Sequence, residues 1–196
     1  MDNQEPFKET DKYYPNNPYS ASKAASEHFA RAFNKTYNFP VIITNCSNNY
    51  GPYQQSEKLI PNTIKCGLLG RKIPVYGDGK NIRDWLNVED HCSALNILLE
   101  KGNVGENYNI GGNNEICNIE IIFKICDLLD RFCPRPNNIP HKKLINFVED
   151  RLGHDFRYSI NASKLGKQLC WKSSKTFEQG LNDTVLWYIN NRNWLI

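Results

Sequence analysis

The chain has 196 residues, 40% of them hydrophobic and 23% charged, with a net charge of +3. That size and apolar share suit one sizeable core or two smaller ones and exclude a disordered chain. The charges are scattered and no apolar run approaches a membrane span, so neither a nucleic-acid nor a membrane partner is expected.

Asn17-Pro18 pairs an N-cap with proline at the first helical position, so a helix opens there. Ser22, Ala25, Phe29 and Phe33 recur at three- and four-residue steps as an amphipathic stripe, and the small residues among them allow close approach of another element. The β-branched run 40–44 predicts a buried strand. Asn45 to Pro52 reads as a polar loop at its carboxyl end, where ligands bind in open α/β sheets. Helices are predicted over 58–70, 89–101, 119–131, 162–169 and 176–191, with Ala94, Leu95, Leu98 and Leu99 as the apolar face of the second. Strands are predicted over 73–76, 83–88, 107–110 and 144–148. Strands alternating with helices argue an α/β arrangement. The sheet reads as incomplete, because the first strand arrives only after a helix.

Seven cysteines, an odd number without Cys-x-x-Cys spacing, argue for reduced thiols that mostly fill core, against zinc and against a disulfide framework. The polar start from Met1 to Glu5 is no secretory signal, so a cytoplasmic location is expected. His28, His91, His141 and His154 lack metal-ligand spacing.

Tyr19 and Lys23 stand four residues apart and share one helix face. A lysine ammonium close to a phenol favours the phenolate, which makes a base for an alcohol proton while a nicotinamide takes the hydride. Most Tyr-x-x-x-Lys pairs are ordinary exposed helix positions, so the pattern needs its context. The glycine-rich turn that would hold a dinucleotide does not precede it in these residues.

Six motifs in order supply that context: Pro18-Tyr-Ser-Ala-Ser-Lys23, Asn45-Cys-Ser-Asn-Asn-Tyr-Gly-Pro52, Glu57-Lys-Leu-Ile-Pro61, Ile82-Arg-Asp-Trp85, Asn109-Ile-Gly-Gly112 and Asp150-Arg-Leu-Gly-His-Asp155. Together they resemble the C-terminal part of the bacterial dTDP-glucose 4,6-dehydratases, which are extended short-chain dehydrogenases/reductases. The resemblance implies a C-terminal remnant of a Rossmann-type parallel sheet plus a smaller mixed α/β substrate-binding domain. Residues 1–55 would be the partial dinucleotide-binding domain, and 56–196 mainly the nucleotide-sugar domain, with 80–110 returning to the Rossmann sheet. It implies NAD as cofactor, a dTDP-glucose-type nucleotide sugar as ligand, and a separate N-terminal half or a second copy as partner.

By resemblance Tyr19 is the base at the sugar C4 hydroxyl, and Lys23 holds the nicotinamide ribose. Asn48 contacts substrate and Asn49 the cofactor. Lys58 and Leu59 match a substrate-contacting pair, Pro74, Val75 and Tyr76 a thymine-side segment, and Arg83 and Arg151 pyrophosphate-side arginines. Asn118 and His154 fall at further substrate positions. Guanidinium forks bind phosphate oxygens bidentately, which suits the arginines; the plainer reading is a surface ion pair to Asp84 or Asp150. Leu152 and Ser56 stand where the family usually has proline, so those loops are expected to be less rigid. The family's phosphate loop and its Thr-Asp-Glu elimination stretch have no match here. The competing readings are a catalytically dead nucleotide-sugar-binding module and, within the superfamily, an epimerase or decarboxylase.

Overall fold

The computed structural model describes residues 5–153 and 155–195. Asn17 caps the first helix, α1 (Pro18–Tyr37), by accepting the Ser20 N–H at 2.9 Å. The helix stops at Asn38, whose φ of 52° lies in the left-handed region that asparagine tolerates. Strands β1 (Ile43–Cys46) and β2 (Asn48–Tyr50) follow, then α2 (Leu59–Leu68), β3 (Ile73–Tyr76), β4 (Ile82–Asn87) and α3 (Val88–Lys101). The second half runs β5 (Asn107–Ile110), β6 (Glu115–Cys117), α4 (Asn118–Phe132), β7 (Ile145–Val148), β8 (Arg157–Tyr158), α5 (Ser163–Leu169) and α6 (Phe177–Asn190). Among the described residues no helix is long and apolar enough to cross a membrane.

The strands form three ladders. β1 lies parallel to β5, and β3 parallel to β7. β4 is the hub of the third, with β2 and β8 parallel to it and β6 antiparallel. The main core joins α2, α4 and α6 over Tyr50 and Trp85, through Ile60, Ile64, Ile121, Ile125, Phe177 and Leu181. A second cluster packs α3 and α5 on β5, and a third packs α2 and α4 on β3.

Several expectations are corrected. The strand expected at 40–44 runs over Ile43–Cys46, because its register is set by pairing with Asn107–Ile110. The polar loop expected over 45–52 contains β2, where ladder bonds to Trp85–Asn87 override the poor strand preference of asparagine. β6 and β8 escaped notice because segments of three and two residues show no periodicity. Leu99 is 84% exposed and does not join Ala94 and Leu98 in the core. Only Cys66 and Cys126 of the seven cysteines are buried, and Cys92 and Cys170 are exposed.

The amphipathic stripe of α1 exists but nothing among the described residues covers it: none of the helix's residues is buried, and Phe29 and Phe33 are 68% and 52% exposed. Most helical stability comes from packing of the apolar face. Exposed contiguous apolar surface also promotes association. The 196-residue chain is therefore expected to elute larger than a monomer in size-exclusion chromatography. Phe29→Lys with Phe33→Lys should shift it toward monomer and leave the melting temperature nearly unchanged, since exposed substitutions typically move stability by less than about 0.5 kcal/mol. Indistinguishable elution of the two proteins would contradict this.

Gly112 is required for a different reason. A Cβ there would lie 2.0 Å from the Trp85 carbonyl oxygen, a backbone atom that cannot swing aside. Gly112→Ala is expected to cost about 3 kcal/mol or more, the upper end for overpacking. In calorimetry that is a drop of roughly 6–12 °C for a chain of this size.

Candidate active site

The residues singled out in the sequence fall into three groups. The first is on α1. Lys23 Nζ stands 5.7 Å from the centre of the Tyr19 ring, so the two do share a helix face. Tyr19 is 71% exposed, and among the described residues neither side chain makes a hydrogen bond. Glu27, one turn further along, ties α1 to the rest of the molecule. Its carboxylate takes the Tyr13 hydroxyl and, at 3.5 Å, the Asn45 amide. Burial first, and that bond second, push the Tyr13 phenol up to about 12. Tyr13 is held to the helix and is a poor proton acceptor, whereas Tyr19 faces solvent.

The second group surrounds β2. Strand alternation sets Asn48 and Asn49 on opposite faces. The Asn49 amide donates to the Ser47 carbonyl at 3.1 Å and to Cys46 Sγ at 3.4 Å, while its buried Oδ1 has no donor. A buried acceptor left open is costly unless a ligand or water meets it. Lys58 stands exposed at the N-cap position of α2 without a side-chain capping bond and pairs with Glu57 at 3.2 Å. Leu59, the first residue of α2, is half-buried against the core.

The third group gathers around β3, β4 and the segment after β7. Along β3 the side chains alternate: Val75 is buried in the core, while Pro74 and Tyr76 are half-buried on the other face. Only the backbone of Val75 is thus offered to a ligand. The Arg151 guanidinium lies 4.5 Å from the centre of the Tyr76 ring, an arrangement favoured by the ring's quadrupole. Arg83 is 8% exposed and donates to the carbonyls of Ile82 at 2.7 Å, Phe156 at 3.2 Å and Asp155 at 2.6 Å. The surface ion pair is not what Arg83 makes; its fork holds backbone. Burial pulls its pKa down, and the Asp155 and Asp150 carboxylates push it back up. Asn118 opens α4, with its N–H on the Asn81 carbonyl at 3.0 Å and its buried Oδ1 without a partner. The Asn81 amide in turn donates to the Asp155 carbonyl at 3.3 Å. His154 lies outside the described residues.

Tyr76 meets Arg151, and Arg83 and Asn118 meet through Asn81 and Asp155. No hydrogen bond joins either set to Tyr19 and Lys23 among the described residues. Asn81 and Gln54, which links to the Asn49 carbonyl at 2.9 Å, were missed. No local pattern marks either residue, since the partner of Asn81 lies 74 residues away.

A family model described as GDP-mannose 4,6 dehydratase matches residues 2–184. The chain belongs to the GDP-mannose 4,6 dehydratase family. It is 57% identical over 189 residues to dTDP-glucose 4,6-dehydratase of Xanthomonas campestris pv. campestris, and 54% identical over 187 residues to that of Haemophilus influenzae. These matches take in 96% and 94% of this chain but 54% and 55% of the relatives. The chain thus spans about half the length of the curated relatives it matches.

Solved structures agree. The Bacillus anthracis dTDP-glucose 4,6-dehydratase in complex with NAD superposes with a TM-score of 0.89 at 50% identity, over 99% of this chain and 59% of that one. The Streptomyces venezuelae dTDP-glucose 4,6-dehydratase with NAD and TYD bound gives 0.91 at 41% identity, over 98% and 57%. A UDP-glucose 4-epimerase from Thermotoga maritima gives 0.83 at 22% identity, over 95% and 58%, which is a likeness of fold alone. The expected α/β class with parallel Rossmann-like pairing is what this family member has.

Arg83 and Arg151 make opposite demands on stability. Arg83→Ala removes three hydrogen bonds of a buried guanidinium, although Asp155 keeps the Asn81 amide and Phe156 the Ile82 N–H, and should cost about 1–3 kcal/mol in all. Arg151→Ala removes an exposed side chain and should cost less than about 1 kcal/mol. Thermal melts of the two variants separate these outcomes.

Proposed function

We propose that this chain is the C-terminal half of an NAD-dependent dTDP-glucose 4,6-dehydratase, working in the cytoplasm with an N-terminal half that completes the dinucleotide site. The supporting observation is the alignment at 57% identity with a dTDP-glucose 4,6-dehydratase, confined to about half of that relative. Residues 1–55 with 80–110 belong to the dinucleotide side of the division and 56–196 mainly to the sugar side; the pairing of β1 with β5 and of β2 with β4 supports that assignment.

The donor set fits the nicotinamide end of the cofactor. Lys23 and Tyr19 suit ribose hydroxyls, and the open Oδ1 of Asn49 suits an N–H donor. Bound NAD supplies a hydride acceptor that later returns the hydride. Tyr19 takes the proton from the sugar C4 hydroxyl, and the Lys23 ammonium stabilises the phenolate that does so. Asn48, on the opposite face of β2, is the sugar contact. Tyr76 and Arg151 form the base-side and phosphate-side platform, with Lys58 as a second cation. A nucleotide diphosphate carries negative charge to these two cations, so its affinity falls with salt. Loss of water across C5 and C6 needs an acid and a base, each worth roughly 10² to 10⁴ in rate. We assign that pair to the other half.

Co-expression with the N-terminal half of the Xanthomonas relative is the test. The mixture should form the 4-keto-6-deoxy sugar, detected by its absorbance in alkali. Tyr19→Phe should lower the rate by about 10² or more, the typical worth of a positioned base. An active mixture that is indifferent to Tyr19→Phe would remove Tyr19 from the chemistry. A second reading, a nucleotide-sugar-binding module without turnover, is favoured by the Tyr76–Arg151 platform, which is assembled within this chain alone. Salt-sensitive dTDP binding by the chain, with no turnover in the mixture, would select it.

A further inference from the structure

The segment from Gly51 to Glu57 joins the Asn48–Asn49 pair to Lys58 and Leu59, and it contains no helix or strand. It is held instead from the far end of the chain. Tyr188, a buried residue of α6, donates its hydroxyl to the Gln54 carbonyl at 3.0 Å and to the Gly51 carbonyl at 3.3 Å. The indole N–H of Trp194, in the 3-10 turn Arg192–Trp194, donates to the same Gln54 carbonyl at 3.1 Å across 140 positions. Gln54 carries the restraint inward, its amide donating to the Asn49 carbonyl at 2.9 Å. Leu195 anchors the turn in the core beside Tyr50 and Ile60.

Tyr53 shows that the segment is under restraint. Its φ of 62° lies in the left-handed region, which bulky L side chains adopt only when their surroundings hold them. Its ring packs on Trp187 at 4.6 Å and Trp194 at 5.3 Å between centres. Leu195 and the Tyr188 ring belong to the main core, whereas the bonds of Tyr188 and Trp194 to the Gln54 carbonyl reach out to the 51–57 segment.

We propose that the carboxyl-terminal turn is a strap that positions this segment, which makes Trp194 and Tyr188 positioning residues for Asn49 and Lys58. The proposal rests on reading those two side chains as part of the nucleotide-sugar and cofactor site. The strap reaches both ends of the segment, because Gln54 touches Asn49 and the segment runs directly into the cap of α2.

The test uses the full chain with Tyr188→Phe, Trp194→Phe and the double variant. Lys175→Ala is the comparison, since that ammonium pairs with Glu89 and Asp183 and lies outside the turn. Hydrogen–deuterium exchange of amides 49–58 is read beside the thermal melt. In the double variant these amides should exchange about tenfold faster, as expected when a local opening loses a hydrogen bond. Peptides from α4 and β3 should stay as in the wild type, and Lys175→Ala should not loosen 49–58. Ligand-observed NMR with dTDP should then show clearly weaker binding in the double variant. Unchanged exchange, or equal loosening by Lys175→Ala, overturns the strap. Unchanged dTDP affinity in a loosened double variant overturns its positioning role. A wild-type chain that ignores dTDP defeats the nucleotide-sugar reading alone, and the exchange data still decide the strap.

Discussion

Strand β4 carries a buried arginine beside a buried aspartate, and the placement of the turn at 112–114 and of the backbone at 155–156 depends on this pair. Asp84 is completely buried and accepts the Asn114 N–H at 2.7 Å and the Gly112 N–H at 3.0 Å. Burial pushes its carboxyl above the ordinary range, and the N–H donors pull it back. Those bonds fold the turn after β5 back onto β4, which lets β6 pair antiparallel and starts α4 at Asn118. Arg83, pointing the other way, fixes the backbone at 155 and 156 and so brings β8 alongside. A buried charge is tolerated only when its hydrogen-bonding capacity is met, and here the backbone of two distant segments meets it.

This arrangement gives Arg83 a role that its family match does not suggest. An arginine matching a pyrophosphate contact is already engaged with three carbonyls. Arg151, by contrast, is exposed over the Tyr76 ring. The two arginines therefore differ in kind: one holds backbone inside the fold, and the other lies at the surface. The same division separates Tyr13 from Tyr19. Both precede or open α1, yet Tyr13 is tied to Glu27 and Tyr19 is open.

The uncovered stripe of α1 belongs to the same physical account. Phe29, Phe33 and Tyr37 repeat on helical spacing and are all exposed, although such a stripe normally faces a core. Among the described residues β1 has β5 on one side only. Both features lie on the part of the molecule that carries Tyr19 and Lys23. Tyr19 and Lys23 thus sit on the helix least supported by the rest of the described chain.

The sequence by itself determined the elements with strong local signals: the Asn17-Pro18 start of α1, the stop of α2 before Gly70, the periodic helices α3, α4 and α6, and the strands β3 and β5. It also carried the family, because six ordered motifs need no fold to be recognised. What it could not show was which polar residues meet. β2 arises where a strand ladder outweighs the weak preference of its asparagines, and β8 pairs with β4 where Arg83 holds the backbone just before it. The bonds of Trp194 and Tyr188 to Gln54 join positions more than 130 apart, for which the chain has no periodicity. Local propensity is written in neighbouring residues, whereas a buried polar contact is decided by what the completed core brings within hydrogen-bond reach.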